Sequence, residues 1–187
     1  MFENKGKWSV NEGSTIEEFK GLRSDIAALA LASYFAECAE ALSDEDRPDP
    51  ELLRLILNSF YALSEGKFSQ RQIKTAFEWK LAAIAGYEPD LSFCAVCGKE
   101  PEEPYFSTKN GVVCCRKCRS AAISADIALC GDSLMVMRYI LGADMRRRLL
   151  YSAPEEAAER AANAAESYLA AQTERRFGTL AYYKQFT

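Results

Sequence analysis

Apolar residues recur at helical spacing over three long stretches of the chain. After the overlapping capping boxes Ser14-x-x-Glu17 and Thr15-x-x-Glu18, the residues Phe19, Leu22, Ile26, Leu29 and Ser33 fall three or four positions apart. This predicts a helix running to about Leu42, followed by the polar loop Ser43–Pro48. Asp49 before Pro50 reads as an N-cap with proline at the first helical position. Leu52, Leu53, Ile56, Phe60 and Leu63 make the stripe of this second helix, and Gly66 ends it. A third begins near Ser69, carries Ile73, Phe77, Leu81 and Ile84 on one face, and stops at Gly86. Weaker helical patterns occupy 124–129, 132–141 and 143–151. An alanine-rich final helix is predicted from Ser152-Ala153-Pro154-Glu155, a capping box with an early proline, to Phe177, before Gly178; the alanines are read as helix propensity alone. At the front, Lys7-Trp8-Ser9-Val10 alternates like a half-buried strand, and Asn11-Glu12-Gly13 reads as a turn. A lone strand needs a partner, either within this chain or in a segment before it.

Segment 91–122 breaks the helical pattern and is rich in Cys, Pro and Gly. It holds Cys94-x-x-Cys97 and Cys115-x-x-Cys118, with 17 residues between the pairs. That is the spacing of structural zinc sites. Thiolates three positions apart on a tight turn face one way, and two such turns complete a tetrahedron. Tyr105-Phe106-Ser107 and Gly111-Val112-Val113 flank Thr108-Lys109-Asn110 as a hairpin that brings the turns together, with Asn110-Gly111 a strong turn pair. The expected fold is mainly α: a helical bundle with an inserted four-cysteine zinc ribbon and a short strand in front. Its parts are 1–13, 14–90, 91–122 and 123–187. Four thiolates leave zinc no open position, so the Zn²⁺ is read as structural. Cys114 stands as an alternative to Cys115, through Cys114-x-x-x-Cys118. Disulfide and redox C-x-x-C readings are the rivals, though nothing indicates an oxidising compartment. Cys38 and Cys130 read as small buried side chains.

Composition removes whole classes of chemistry. The 187 residues contain no histidine, which excludes Ser-His and Cys-His nucleophile pairs and histidine proton shuttles. No glycine-rich phosphate loop or carboxylate pair stands out, so no enzymatic role is expected. No apolar run has the ~18 residues of a membrane helix, and Met1–Val10 lacks a signal-peptide core. The chain is therefore expected to be soluble and cytoplasmic.

The net charge of -4 is unevenly spread: -6 over residues 1–90, +3 over 91–150 and -1 over 151–187. The basic middle supplies two candidate contact groups for DNA or an acidic partner: Arg116, Lys117 and Arg119 beside the cysteines, and Arg146, Arg147 and Arg148. The first group also fits simple offset of the thiolate charge, and the second a solvated helix face. Arg175-Arg176 complements a helix C-terminus. Lys5, Lys7 and Trp8 read as strand residues sooner than a stacking site for single strands. Arg23 with Asp25, and Glu78 with Trp79, carry no recognised chemical pattern.

Three stretches together resemble the RecO family of bacterial DNA repair proteins. They are Phe19–Asp25 leading into Leu29–Tyr34, then Phe77–Leu91, then Cys94-Ala95-Val96-Cys97-Gly98 with Gly111–Cys118. The resemblance runs over the whole chain. It implies an N-terminal OB barrel, of which Lys7–Val10 would be the last strand and the rest is absent, followed by a helical domain carrying the zinc module. It also implies a recombination mediator that binds and anneals single- and double-stranded DNA, works with RecR, and contacts the acidic, apolar C-terminal tail of single-stranded DNA-binding protein (SSB). Through these contacts it would help load RecA on covered strands. A zinc-ribbon adaptor without DNA binding is the alternative.

Overall fold

The computed structural model of the chain describes residues 2–4, 7–43, 47–119 and 125–187. β1 (Phe2–Asn4) and β2 (Lys7–Ser9) pair antiparallel, with Phe2 opposite Ser9. The strand expected at the front thus finds its partner inside the chain. Residues 10–18 form no helix. The Glu17 carboxylate accepts from the backbone N–H groups of Glu18 and Phe19, and so serves no capping box. Phe19 lies at φ 47, a left-handed conformation that no helix can run through. A single turn, α1 (Gly21–Ser24), precedes α2 (Ile26–Leu42). The true N-cap is Asp25, whose Oδ1 accepts from Ala27 N–H at 2.9 Å and Ala28 N–H at 3.2 Å.

The next two helices begin as their sequence predicts. α3 (Pro50–Glu65) is capped by Asp49 and closed by Gly66 at φ 64. α4 (Gln70–Ile84) is capped by the Ser69 hydroxyl, and Gly86 follows at φ 87. The expected one-sided stripe of α4 is corrected, because every residue from Ile73 to Trp79 is buried. α4 is the central helix, with α2, α3, α5 (Gly131–Gly142) and α6 (Glu155–Thr173) packed around it. A helix enclosed on all sides loses its polar face. Phe35 of α2 stacks on Phe77 of α4 at 3.9 Å. Ala157, Ala161, Ala164 and Ala165 of α6 are buried, so the alanines do more than favour helix: their small side chains let α4 approach.

β3 (Pro104–Ser107) and β4 (Val112–Cys115) form the expected hairpin. β5 (Ile127–Ala128) covers the other edge of β3. Helix was expected at 124–129; residue 124 lies outside the described residues, and the remainder is drawn into the sheet. Asp126 N–H donates to Phe106 O at 3.0 Å and Leu129 N–H to Pro104 O at 2.8 Å, so the β3 edge satisfies these groups. The helix expected at 143–151 is a series of turns instead. Asp144 Oδ1 accepts from Arg146 and Arg147 N–H at 2.9 Å each, a local bond that competes with helix. α6 begins after Pro154 with no side-chain cap. Glu155 pairs with Arg71 at 2.6 Å and makes no capping box with Ser152. α6 also ends early, at Glu174 with φ 51. Gly178, expected as a stop, opens α7 (Gly178–Tyr183), where the Glu37 carboxylate receives the N–H groups of Gly178 and Thr179. No described helix is long and apolar enough to cross a membrane.

Candidate metal centre

The two cysteine pairs sit on two tight turns. In the first, Cys94 N–H donates to Lys99 O and Gly98 N–H to Cys94 O, both at 2.8 Å, with Gly98 at φ 68. In the second, Arg116–Cys118 forms one 3₁₀ turn, and Arg119 N–H donates to Cys115 O at 3.0 Å. The hairpin stands these turns face to face. The sulfurs of Cys94, Cys97, Cys115 and Cys118 lie within 4.8 Å of one another. A tetrahedral Zn²⁺ with Zn–S near 2.3 Å has sulfur–sulfur edges of about 3.8 Å. Cys97 Sγ and Cys115 Sγ are already 3.9 Å apart. Cys94 and Cys115 are buried, Cys118 is half-buried and Cys97 is exposed.

The electrostatics ask for a cation. Burial works against a Cys94 thiolate, but backbone N–H groups of Cys97, Cys115 and Val96 outweigh it and bring the thiol down to about 6. One of these, Cys115 N–H, lies 3.3 Å from Cys94 Sγ. Cys118 is pushed up to about 12 by desolvation, and by the sulfurs and charges of Cys97 and Cys94. Burial likewise raises Cys115. One thiolate is favoured and its neighbours resist joining it, the state a bound divalent ion would reverse by supplying positive charge. The donor set of four soft sulfurs suits such an ion and leaves it no open position. Cys114 is fully buried and stands outside the cluster, which decides between it and Cys115. Pooling of four thiols in one cluster also counts against a separate redox pair. Cys38 is buried, as expected, and Cys130 is partly exposed at the α5 N-cap.

The basic groups fare differently. Arg116 pairs with Glu103 at 2.9 Å, and the Arg119 guanidinium lies 4.7 Å from the centre of the Tyr105 ring. Lys117 is exposed and makes no ion pair among the described residues. Arg146 and Arg147 are exposed, and a groove of about 250 Å³ is lined by Asp132, Met135, Val136, Tyr139, Tyr151 and Pro154. Tyr139 Oη donates to Arg147 O at 2.8 Å, tying that turn to the groove. Arg148 is corrected: it is 1% exposed, donates to Ser59 Oγ at 3.1 Å and Met145 O at 3.0 Å, and cannot meet a partner from there. Burial brings its guanidinium down to about 10. The turn at Asp144 separates it from its two neighbours, which a continuous helix face would not do.

One polar cluster escaped the sequence reading. Lys74 reaches Glu78 and Glu166, each at 2.8 Å, and Tyr34 Oη donates to Glu78 at 2.8 Å. Burial alone would depress the Lys74 ammonium, but the two carboxylates hold it charged. Burial pushes the Glu78 carboxyl up. The signal available was the i,i+4 pair Lys74/Glu78 next to the apolar stripe Ile73, Phe77 and Leu81.

Comparisons with known proteins bear on the same residues. The family described as Recombination protein O C terminal matches residues 23–181, which includes the four cysteines. DNA repair protein RecO of Acetivibrio thermocellus is 27% identical over 185 residues, 98% of this chain and 73% of that protein. RecO of Symbiobacterium thermophilum is 28% identical over 94% of this chain and 71% of its own length. RecO of Desulforudis audaxviator is 39% identical over 59% of this chain and 44% of its own length. The chain thus spans between under half and about three quarters of these relatives. With the family matched over most of its length and the four-cysteine cluster inside the match, the chain belongs to the RecO family of DNA repair proteins, in that family's C-terminal part.

Proposed function

We propose that this chain acts in the cytoplasm as the C-terminal part of a RecO-type recombination mediator, by binding alone and without catalysis. The family match over residues 23–181 carries the reading. The four-thiolate cluster supports it with a closed, structural Zn²⁺ site at Cys94, Cys97, Cys115 and Cys118. The helical body docks RecR. Lys117 and Arg119, with Tyr105, offer phosphates a cationic and aromatic edge. Arg146 and Arg147 are exposed, the Arg147 backbone is tied to Tyr139 of a largely apolar groove, and together they suit the acidic, apolar tail of SSB. Contact with that tail and with single- or double-stranded DNA then places RecA on covered strands.

The test is fluorescence anisotropy of a labelled SSB tail peptide and of a labelled single-stranded oligonucleotide, at low and moderate salt. Saturable binding that weakens steeply with salt is expected. Tail binding should fall several-fold in the Arg146→Ala/Arg147→Ala variant. No binding of either probe by a folded, zinc-loaded sample would overturn the mediator reading and leave the adaptor.

A further inference from the structure

The two cysteine turns are also held in place by contacts from outside the C-x-x-C pairs. The segment before Cys94 runs alongside β4 on the edge that β3 leaves free. Asp90 N–H donates to Gly111 O at 2.8 Å, Asp90 bridges Val112 in parallel, and Ala95 N–H donates to Val113 O at 2.9 Å. This register sets Cys94 beside Cys115, and a slip of one residue would change which sulfurs meet.

Three helices of the body fix it. From α5, Arg138 Nε donates to Leu91 O at 2.8 Å and its NH2 to Ser92 O at 2.7 Å, while NH1 holds Glu100 at 2.7 Å beyond the first turn. From α6, Tyr168 lies over Gly111 so closely that an added Cβ would sit 2.5 Å from its hydroxyl, which donates to Tyr87 O at 3.0 Å. Gln172, one turn on, donates to Thr108 O at 2.8 Å. From α4, Trp79 completes an aromatic triangle with Phe106 and Tyr168, whose ring centres are 5.2 to 5.6 Å apart.

We propose that Arg138 and Tyr168 are positioning residues of the metal centre: α5 grips the first cysteine arm, α6 grips the hairpin, and their spacing presets the gap the ion fills. The proposal rests on the metal reading of the four cysteines. Metal affinity then belongs to the whole domain, and by reciprocity metal binding tightens the packing of α5 and α6 on the hairpin. Residues that orient metal ligands from outside commonly change affinity by about tenfold or more.

Zinc affinity of the intact chain, measured by competition with a chromophoric chelator, tests this in Arg138→Ala, Tyr168→Phe and the surface control Lys67→Ala. Arg138→Ala should bind zinc about tenfold more weakly, with unchanged helical circular dichroism, and its gain in melting temperature on zinc loading should shrink. Tyr168→Phe, which removes only a hydroxyl, should shift affinity the same way by less, and decides the matter if Arg138→Ala does not fold. Lys67→Ala should match the unmodified chain. Equal affinities in folded variants would overturn the proposal alone. An unmodified chain that binds no zinc would overturn the metal reading beneath it.

Discussion

Two regions around the β3–β4 hairpin rest on different physics. Phe106 and Val113 are fully buried against the helical body, among Trp79, Tyr168 and the rest of a large apolar core. Where the hairpin meets the cysteine turns, Cys94, Cys114, Cys115 and Ala125 form a separate small cluster, with Tyr105 and Cys118 packed on it among the described residues. The first region is held by buried apolar surface, worth roughly 25 cal/mol per Å². The second has almost none and gathers thiols whose charges oppose one another. One region of the hairpin is held through many weak contacts, and the other would draw on a few strong ones to an ion.

The sharpest way to break the contrast is to remove the ion. Chelation should free the cysteine face and lower the melting temperature strongly, since binding energy is folding energy in such sites. The helices should persist, because their core is separate. Native mass spectrometry should find one metal per chain in Cys114→Ser and none in Cys115→Ser. The opposite pattern would reassign the ligand. A chelated sample that kept its full melting behaviour would refute the structural role altogether.

Breaking the body from within should cost less and leave the metal alone. Lys74→Met strands the buried Glu78 carboxylate, whose Oε2 already lacks a partner. About 3–5 kcal/mol should be lost in urea unfolding, with metal stoichiometry unchanged. Metal lost in step with stability would show that the two regions are not separate units.

The smallest effect concerns where the first long helix begins. Asp25→Ala should cost about 1 kcal/mol of stability, as N-cap loss commonly does, and Ser14→Ala should cost nothing measurable. Equal costs would restore the helix start expected from the capping boxes.

The candidate site was legible because zinc knuckles are local. Cys94-x-x-Cys97 and Cys115-x-x-Cys118 each face their sulfurs one way through a turn of a few residues, and Asn110-Gly111 announces the hairpin between them. The same locality made Asp49, Ser69 and Gly66 readable as helix ends. It failed at Ser14 and Ser152, where capping boxes exist in the sequence but Glu17 and Glu155 have other partners. Arg148 failed for a related reason. A run of three arginines looks like one surface, until a turn at Asp144 sends the third beneath α3 to Ser59.

The order of residues alone therefore determined the helical class and the two C-x-x-C turns, since each rests on spacing over a few positions, and its motifs carried the family resemblance. Only the tertiary structure decided that α4 is the enclosed centre, that β5 is strand and not helix, and that Cys115 and not Cys114 joins the cluster of four sulfurs. Those outcomes depend on which distant segment satisfies a backbone group, fills a gap or sets a register. No local pattern records that choice, because the competing states differ in free energy only once the partner is present.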